Sequence, residues 1–341
     1  MIIRRWEDDM SAYAIHTTLK HAFLIVCLSA AICVSDLNLA WAEDPETLTG
    51  VLEKHRLATF EDVGKYVDAH PDAQDISEAY FYLFRQGLLH DMEVRTLPFA
   101  ESYLKRDDQN QALSGLAQRV RCMAMAQQGD FEAAYVVFES LLAQARPQEA
   151  ESMLGVGFTL ASKARGAGKV GISRDIYERL SAAFPFNQKI SKMTQTGLLK
   201  HDLLGKPAPA LDVPDMEGKQ VDWQQYEGKV VLVDFWATWC GPCLEEMPNL
   251  KTLYKDLHDQ GFEIIGINED GDPEQVKEYL KSAGITWRQI MDESDELKLG
   301  ERFEATLLPS TFLVDRKGTI VQFDLRGGEI RRQVEELLEK K

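Results

Sequence analysis

The stretch Val231-Leu-Val-Asp-Phe-Trp-Ala-Thr-Trp-Cys-Gly-Pro-Cys243 constrains this chain more than any other part of it. It begins as an apolar, β-favouring run, the pattern of a strand buried on both faces. It then turns, and Cys240-Gly241-Pro242-Cys243 opens a long helical pattern. A helix N-terminus carries partial positive charge and free N–H groups, and both stabilise a thiolate. Cys240 is therefore predicted to be the exposed, acidified nucleophile. Cys243, one turn into the helix, is predicted to be the shielded resolving thiol. A zinc site would need a second pair of ligands, and the sequence has no further Cys-x-x-Cys or nearby His pair. A purely structural disulfide across so short a loop would stabilise little. The pattern points to redox use of the pair.

The residues around the pair carry a family resemblance. Trp239-Cys-Gly-Pro-Cys243 is the thioredoxin active-site pentapeptide. The longer run from Phe235, followed by Glu245-Glu-Met-Pro-Asn249, resembles the TlpA-like branch. Those proteins are extracytoplasmic thiol–disulfide oxidoreductases, several of which serve cytochrome c maturation. The resemblance covers roughly residues 204 to 341 and implies a thioredoxin-like α/β fold, a central mixed sheet flanked by helices. It implies that Trp239, Gly241 and Pro242 face the substrate. Leu211 to Tyr226 matches the extra N-terminal hairpin of the family, and Pro273 to Trp287 resembles its insertion.

Three further residues take roles by the same resemblance. Asp234 matches the buried aspartate of thioredoxin, whose raised pKa suits proton exchange with the second thiol near neutral pH. Many TlpA-like sequences carry asparagine there, so Asp234 is a thioredoxin-like departure. Glu246 matches a glutamate near the thiols of respiratory TlpA-like reductases; its alternative is a solvated helix residue. Leu307-Leu-Pro-Ser-Thr-Phe-Leu-Val-Asp315 resembles the cis-proline strand. Pro309 would be cis, and the backbone of Leu308 would pair with an extended substrate segment. Gly-Pro between the cysteines resembles reducing thioredoxins. It implies a reductant of protein disulfides, recharged by a transmembrane thiol reductase. The only cofactor implied is the Cys240–Cys243 disulfide itself, with no metal.

The N-terminus reads as an address. Ala22 to Val34 is an uncharged apolar run preceded by Lys20, and Ala40-Trp41-Ala42 offers a cleavage site after Ala42. That predicts a signal peptide over residues 1–42 and a periplasmic or otherwise extracytoplasmic protein. An uncleaved anchor is the alternative, although the run is short for a membrane span. Cys27 and Cys33 would leave with the signal. The formal charge of −17 argues against nucleic acid or an anionic membrane as partner.

Residues 43–201 read as consecutive helices with short polar breaks: near Glu46–His55, Phe60–Ala69, Ile76–Leu88, Met92–Lys105, Gln111–Gln128, Phe131–Ala145, Glu149–Ala164, Ser173–Ala183 and Gln188–Leu199. Arg165-Gly-Ala-Gly-Lys169 is one of the breaks. Met125 to Phe138 resembles the turn and second helix of a tetratricopeptide repeat. Tyr66, Tyr103, Phe138 and Tyr177 are candidate equivalent aromatics at degenerate spacing; an ordinary helical bundle is the alternative. Such arrays offer a surface to a protein partner. Cys122 falls in a helical pattern as a buried small hydrophobe. Leu203-Leu-Gly-Lys-Pro-Ala-Pro209 ends the helical pattern, and the redox domain is assigned to residues 202–341. Two other functions are open: a thiol peroxidase of the peroxiredoxin-like class, and a non-enzymatic adaptor working through the helical repeats.

Overall fold

A computed structural model describes residues 47–107, 110–292 and 298–340. The predicted signal segment lies outside them, as do Cys27 and Cys33. Phe60–Lys341 forms one compact unit, in which helices and sheet pack together; residues up to Thr59 separate as another. Among the described residues no helix is long and apolar enough to cross a membrane.

Among the described residues eight α-helices come first: α1 Leu48–Ala69, α2 Ile76–Leu89, α3 Glu93–Tyr103, α4 Gln111–Gln127, α5 Phe131–Gln144, α6 Ala150–Gly166, α7 Val170–Ala183 and α8 Gln188–Leu203. The two helices expected on either side of Leu57 are one continuous α1. The join holds no Gly or Pro, and Thr59, which could cap a new helix, instead donates its Oγ1 to His55 O at 2.8 Å within the continuing turn. Asn110, Asp130 and Asn187 cap α4, α5 and α8 through side-chain oxygens. Gly129 takes φ 84° between α4 and α5, which glycine does without strain. Phe138 and Tyr177 join a core shared by α4 to α8. Tyr103 is also buried, whereas Tyr66 is only half-buried. Cys122 is fully buried and donates to Ala134 O at 3.3 Å; burial pushes its thiol up to about 12.

The second half is built on a five-stranded sheet. Its strands are β3 Val230–Trp236, β4 Phe262–Asn268, β5 Arg288–Met291, β6 Ser310–Val314 and β7 Ile320–Phe323. The order is β5-β4-β3-β6-β7. β3, β4 and β5 run parallel, and β6 and β7 antiparallel to their neighbours. β1 Val213–Pro214 and β2 Gln220–Val221 make the predicted hairpin ahead of it. Central β3 is buried at every position, as a strand covered on both faces must be. Val230, Leu232 and Trp236 face a core completed by α9 Gly241–Leu257, α10 Pro273–Ala283 and α12 Gly328–Glu339. Val231, Val233 and Phe235 face the hairpin side, with Leu299 and Phe303 at the short helix α11 Leu299–Arg302.

β7 ends the sheet order, but its outer edge is not bare. Gly205 N donates to Ile320 O, Ile320 N to Lys206 O and Ala208 N to Gly318 O, at 2.8–3.0 Å. The proline-bearing connection thus lies along the edge and satisfies groups an edge strand otherwise leaves open. The helical half covers the rest. Arg165, expected in a break, closes α6 and is 1% exposed. Its guanidinium donates to Gln322 Oε1 at 3.2 Å and Phe323 O at 2.5 Å and lies over the Phe323 ring. Gln322 and Gln333 return bonds to Arg165 O and Gly166 O. His201 packs between Tyr177 and Phe323. Burial, aided by Arg165 and Arg174, pushes its pKa down to about 4, so a neutral ring sits among the aromatics.

Candidate redox site

The end of β3 delivers the chain to the site. Asn268 and Asp270 brace the loop that follows it. Asp270 accepts from Thr238 N at 2.8 Å and from Thr238 Oγ1 at 2.7 Å. Asn268 donates to Asp270 Oδ2 and accepts from Asp270 N. Trp236 Nε1 donates to Gln289 Oε1 at 3.0 Å. Gln289 reaches it by crossing Gly266, where a Cβ would stand 2.1 Å from that same oxygen. Sequence reasoning missed Asn268, Asp270 and Gln289; only their place after or within buried strands marked them.

Cys240 is the N-cap of α9, with Pro242 in the first turn. It is bonded to Cys243, with Cα atoms 5.3 Å apart. Cys243 N donates to Cys240 Sγ at 3.3 Å, so one helix-end N–H does point at this sulfur. Cys240 is 5% exposed and Cys243 2%. The expectation of an exposed Cys240 is corrected: its sulfur is turned in toward Cys243, among Trp236, Ala237 and Met247. The exposed neighbour is Trp239, at 68%, with Gly241 and Pro242 also exposed.

Leu308 and Pro309 are half-buried, and the bond between them is cis. Leu308 packs against both cores. Arg326 Nη2 donates to Pro309 O at 2.5 Å and Nη1 to Thr311 Oγ1 at 3.2 Å. Thr311 stands opposite Asp234 in the β3–β6 register.

Asp234 shares a sheet face with Leu232 and Trp236, because side chains alternate along a strand. Those two belong to the core that holds both cysteines. Asp234 is 4% exposed. Burial pushes its pKa up to about 7; Arg326 opposes this, and the charge of Glu246 adds to it. Glu246 is half-buried and engaged elsewhere. Both its oxygens accept from Gly327 N at 3.1 Å, and one accepts from Asn249 Nδ2. It holds the start of α12, while its charge still reaches Asp234.

A dithiol pair at a helix start, beside a buried acid and across from a cis-proline turn, defines a thiol–disulfide oxidoreductase of thioredoxin fold. Sequence comparison with known proteins agrees. Residues 203–338 match the Redoxin family model. Over 137 residues the chain is 34% identical to the thiol-disulfide oxidoreductase ResA of Bacillus thuringiensis, spanning 40% of this chain and 78% of that protein. ResA of Bacillus subtilis is 31% identical over 118 residues, covering 35% of this chain and 65% of the relative. Among solved structures, the thioredoxin domain of a thiol-disulfide oxidoreductase from Bacteroides vulgatus is 34% identical. It aligns over 40% of this chain and 98% of that one, with a TM-score of 0.38. Through its C-terminal domain this chain belongs to the TlpA-like, ResA-type thiol-disulfide oxidoreductases of the thioredoxin superfamily.

Proposed function

We propose that this oxidoreductase works outside the cytoplasm as a reductant of protein disulfides, with its helical half docking partner proteins. Cys240 thiolate attacks one sulfur of a substrate disulfide and releases the other as thiolate, leaving a mixed disulfide. Asp234 takes the Cys243 proton. The resulting thiolate attacks Cys240 Sγ and expels the second substrate sulfur. The products are a substrate dithiol and the Cys240–Cys243 disulfide, whose two electrons a membrane-embedded thiol reductase must restore.

The observation that carries this reading is Asp234. A carboxyl with a pKa pushed up to about 7, on the sheet face that packs against the dithiol, can accept and return a proton near neutral pH. Glu246 contributes by its charge and by fixing Gly327. Trp239 and Pro242 on one side, and Leu308 and Pro309 on the other, frame an extended substrate segment.

The test is a Cys243→Ser variant expressed in the envelope of a bacterial host. It retains the attacking thiol and lacks the resolving one, so mixed disulfides should accumulate and appear as thiol-sensitive high-mass bands. A Cys240→Ser control should give none. Absence of any trapped envelope protein refutes the reductase reading.

A further inference from the structure

The helix α8 sends two polar side chains, one turn apart, into the redox domain. Thr196 Oγ1 lies 3.2 Å from Thr306 Oγ1. Lys200, 2% exposed, donates from Nζ to Ser310 Oγ at 2.7 Å. The same ammonium donates to Asp324 Oδ1 and Oδ2 at 2.8 and 2.9 Å. Ser310 Oγ in turn donates to Leu307 O at 2.7 Å. Thr306 and Ser310 are the two ends of the segment carrying the cis Leu308–Pro309 bond. One helix of the helical half therefore holds this segment at both ends, while Arg326 holds Pro309 O.

The cost of the arrangement marks it out. A lysine taken from water must keep a close counter-charge and full hydrogen bonding. Here the counter-charge is Asp324, whose backbone stands at φ 49°, a region aspartate enters more readily than most residues. Gly197 lets α8 lie close to α7: a Cβ there would meet the Tyr177 ring at 2.4 Å. An apolar contact would suffice to dock two domains. A buried ammonium delivered to the residue after Pro309 does something more specific.

We propose that Lys200 and Thr196 are positioning residues for substrate. The helical half sets the Thr306–Ser310 wall on which the disulfide-bearing segment docks, and so takes part in substrate engagement at the dithiol itself. This rests on the reading that an extended substrate pairs beside Leu308.

The test uses the full-length protein, reduced beforehand, in single-turnover reactions with two oxidants. Insulin presents a disulfide on peptide backbone. 5,5′-Dithiobis(2-nitrobenzoate) presents one with no backbone to pair. Thr196→Val and Lys200→Met should each raise the half-saturating insulin concentration about fivefold to tenfold, the scale of one or two lost hydrogen bonds. The limiting rate, and the rate with the aromatic disulfide, should stay unchanged. Thr196→Val is nearly isosteric and keeps the test readable if Lys200→Met fails to fold. Unchanged insulin kinetics overturn the proposal. So does a parallel loss with both oxidants, which is what a merely structural contact would give. A wild-type protein inert toward both disulfides would instead sink the reductase reading itself.

Discussion

Asp234→Asn separates the acid's charge from its shape. Burial raises the carboxyl from an ordinary 3.8 to about 7 in the folded protein. A folded-state pKa above the unfolded one means that folding takes up a proton between those values. The stability this proton brings is fully present below pH 4 and is lost as pH rises through 7. At about 1.4 kcal/mol per pH unit, the loss reaches about 4 kcal/mol above pH 7. Asparagine has the same outline and no charge to desolvate. Urea unfolding of wild type and variant should therefore agree to within about 1 kcal/mol near pH 4. The variant should then gain steadily and lead by about 4 kcal/mol at pH 8. The chemical cost should appear in the same variant. Expulsion of substrate from the mixed disulfide should slow about 100-fold at pH 7, the lower end of general acid–base catalysis. A stability difference that stays flat from pH 4 to 8 would refute the burial argument. An unchanged resolution rate would refute the proton-acceptor role.

Two further outcomes follow from the packing. Arg165→Leu removes the donor to Phe323 O and Gln322 and the cation over the Phe323 ring, costing about 3 kcal/mol. It should make amides of residues 204–208 exchange with deuterium well before those of β3. Asp270→Ala strips the Thr238 amide and hydroxyl of their acceptor. It should cost about 2–3 kcal/mol in urea unfolding, and a loss under about 0.5 kcal/mol, the size of a neutral surface change, would show that the loop does not depend on Asp270.

Local chemistry was legible in the sequence, and distant pairing was not. The strand–helix junction, the capped helices after Asn110, Asp130 and Asn187 and the turn at Pro309 each rest on residues within a few positions of one another. Asp234 was marked by its match to the buried aspartate of thioredoxin, six residues before Cys240. Arg165 was misread because Gly166, Gly168 and Lys169 have turn composition, while the groups that bury it lie 157 and 158 positions away. Lys200-His201-Asp202 has the polarity of a solvated helix end. Only Ser310, Asp324 and Phe323 make the first two interior residues. The inward turn of Cys240 was hidden for another reason. A helix-start position predicts which sulfur the N–H groups face, but how far that sulfur reaches solvent is set by Trp236, Met247 and the bond to Cys243.

The strip of chain from Gly205 to Ala208 has a practical side for anyone dividing this protein. It serves as a sixth strand in all but length, occupying the β7 flank, where the sheet would otherwise accept a foreign strand. A piece beginning beyond it, at Asp212, would carry the complete dithiol and all five strands with the β7 flank open, the state in which sheets join edge to edge. A piece beginning at Leu203 keeps the strip but bares Gln322 and Phe323, which Arg165 and His201 cover in the whole chain. The redox half is thus finished only by the half that precedes it.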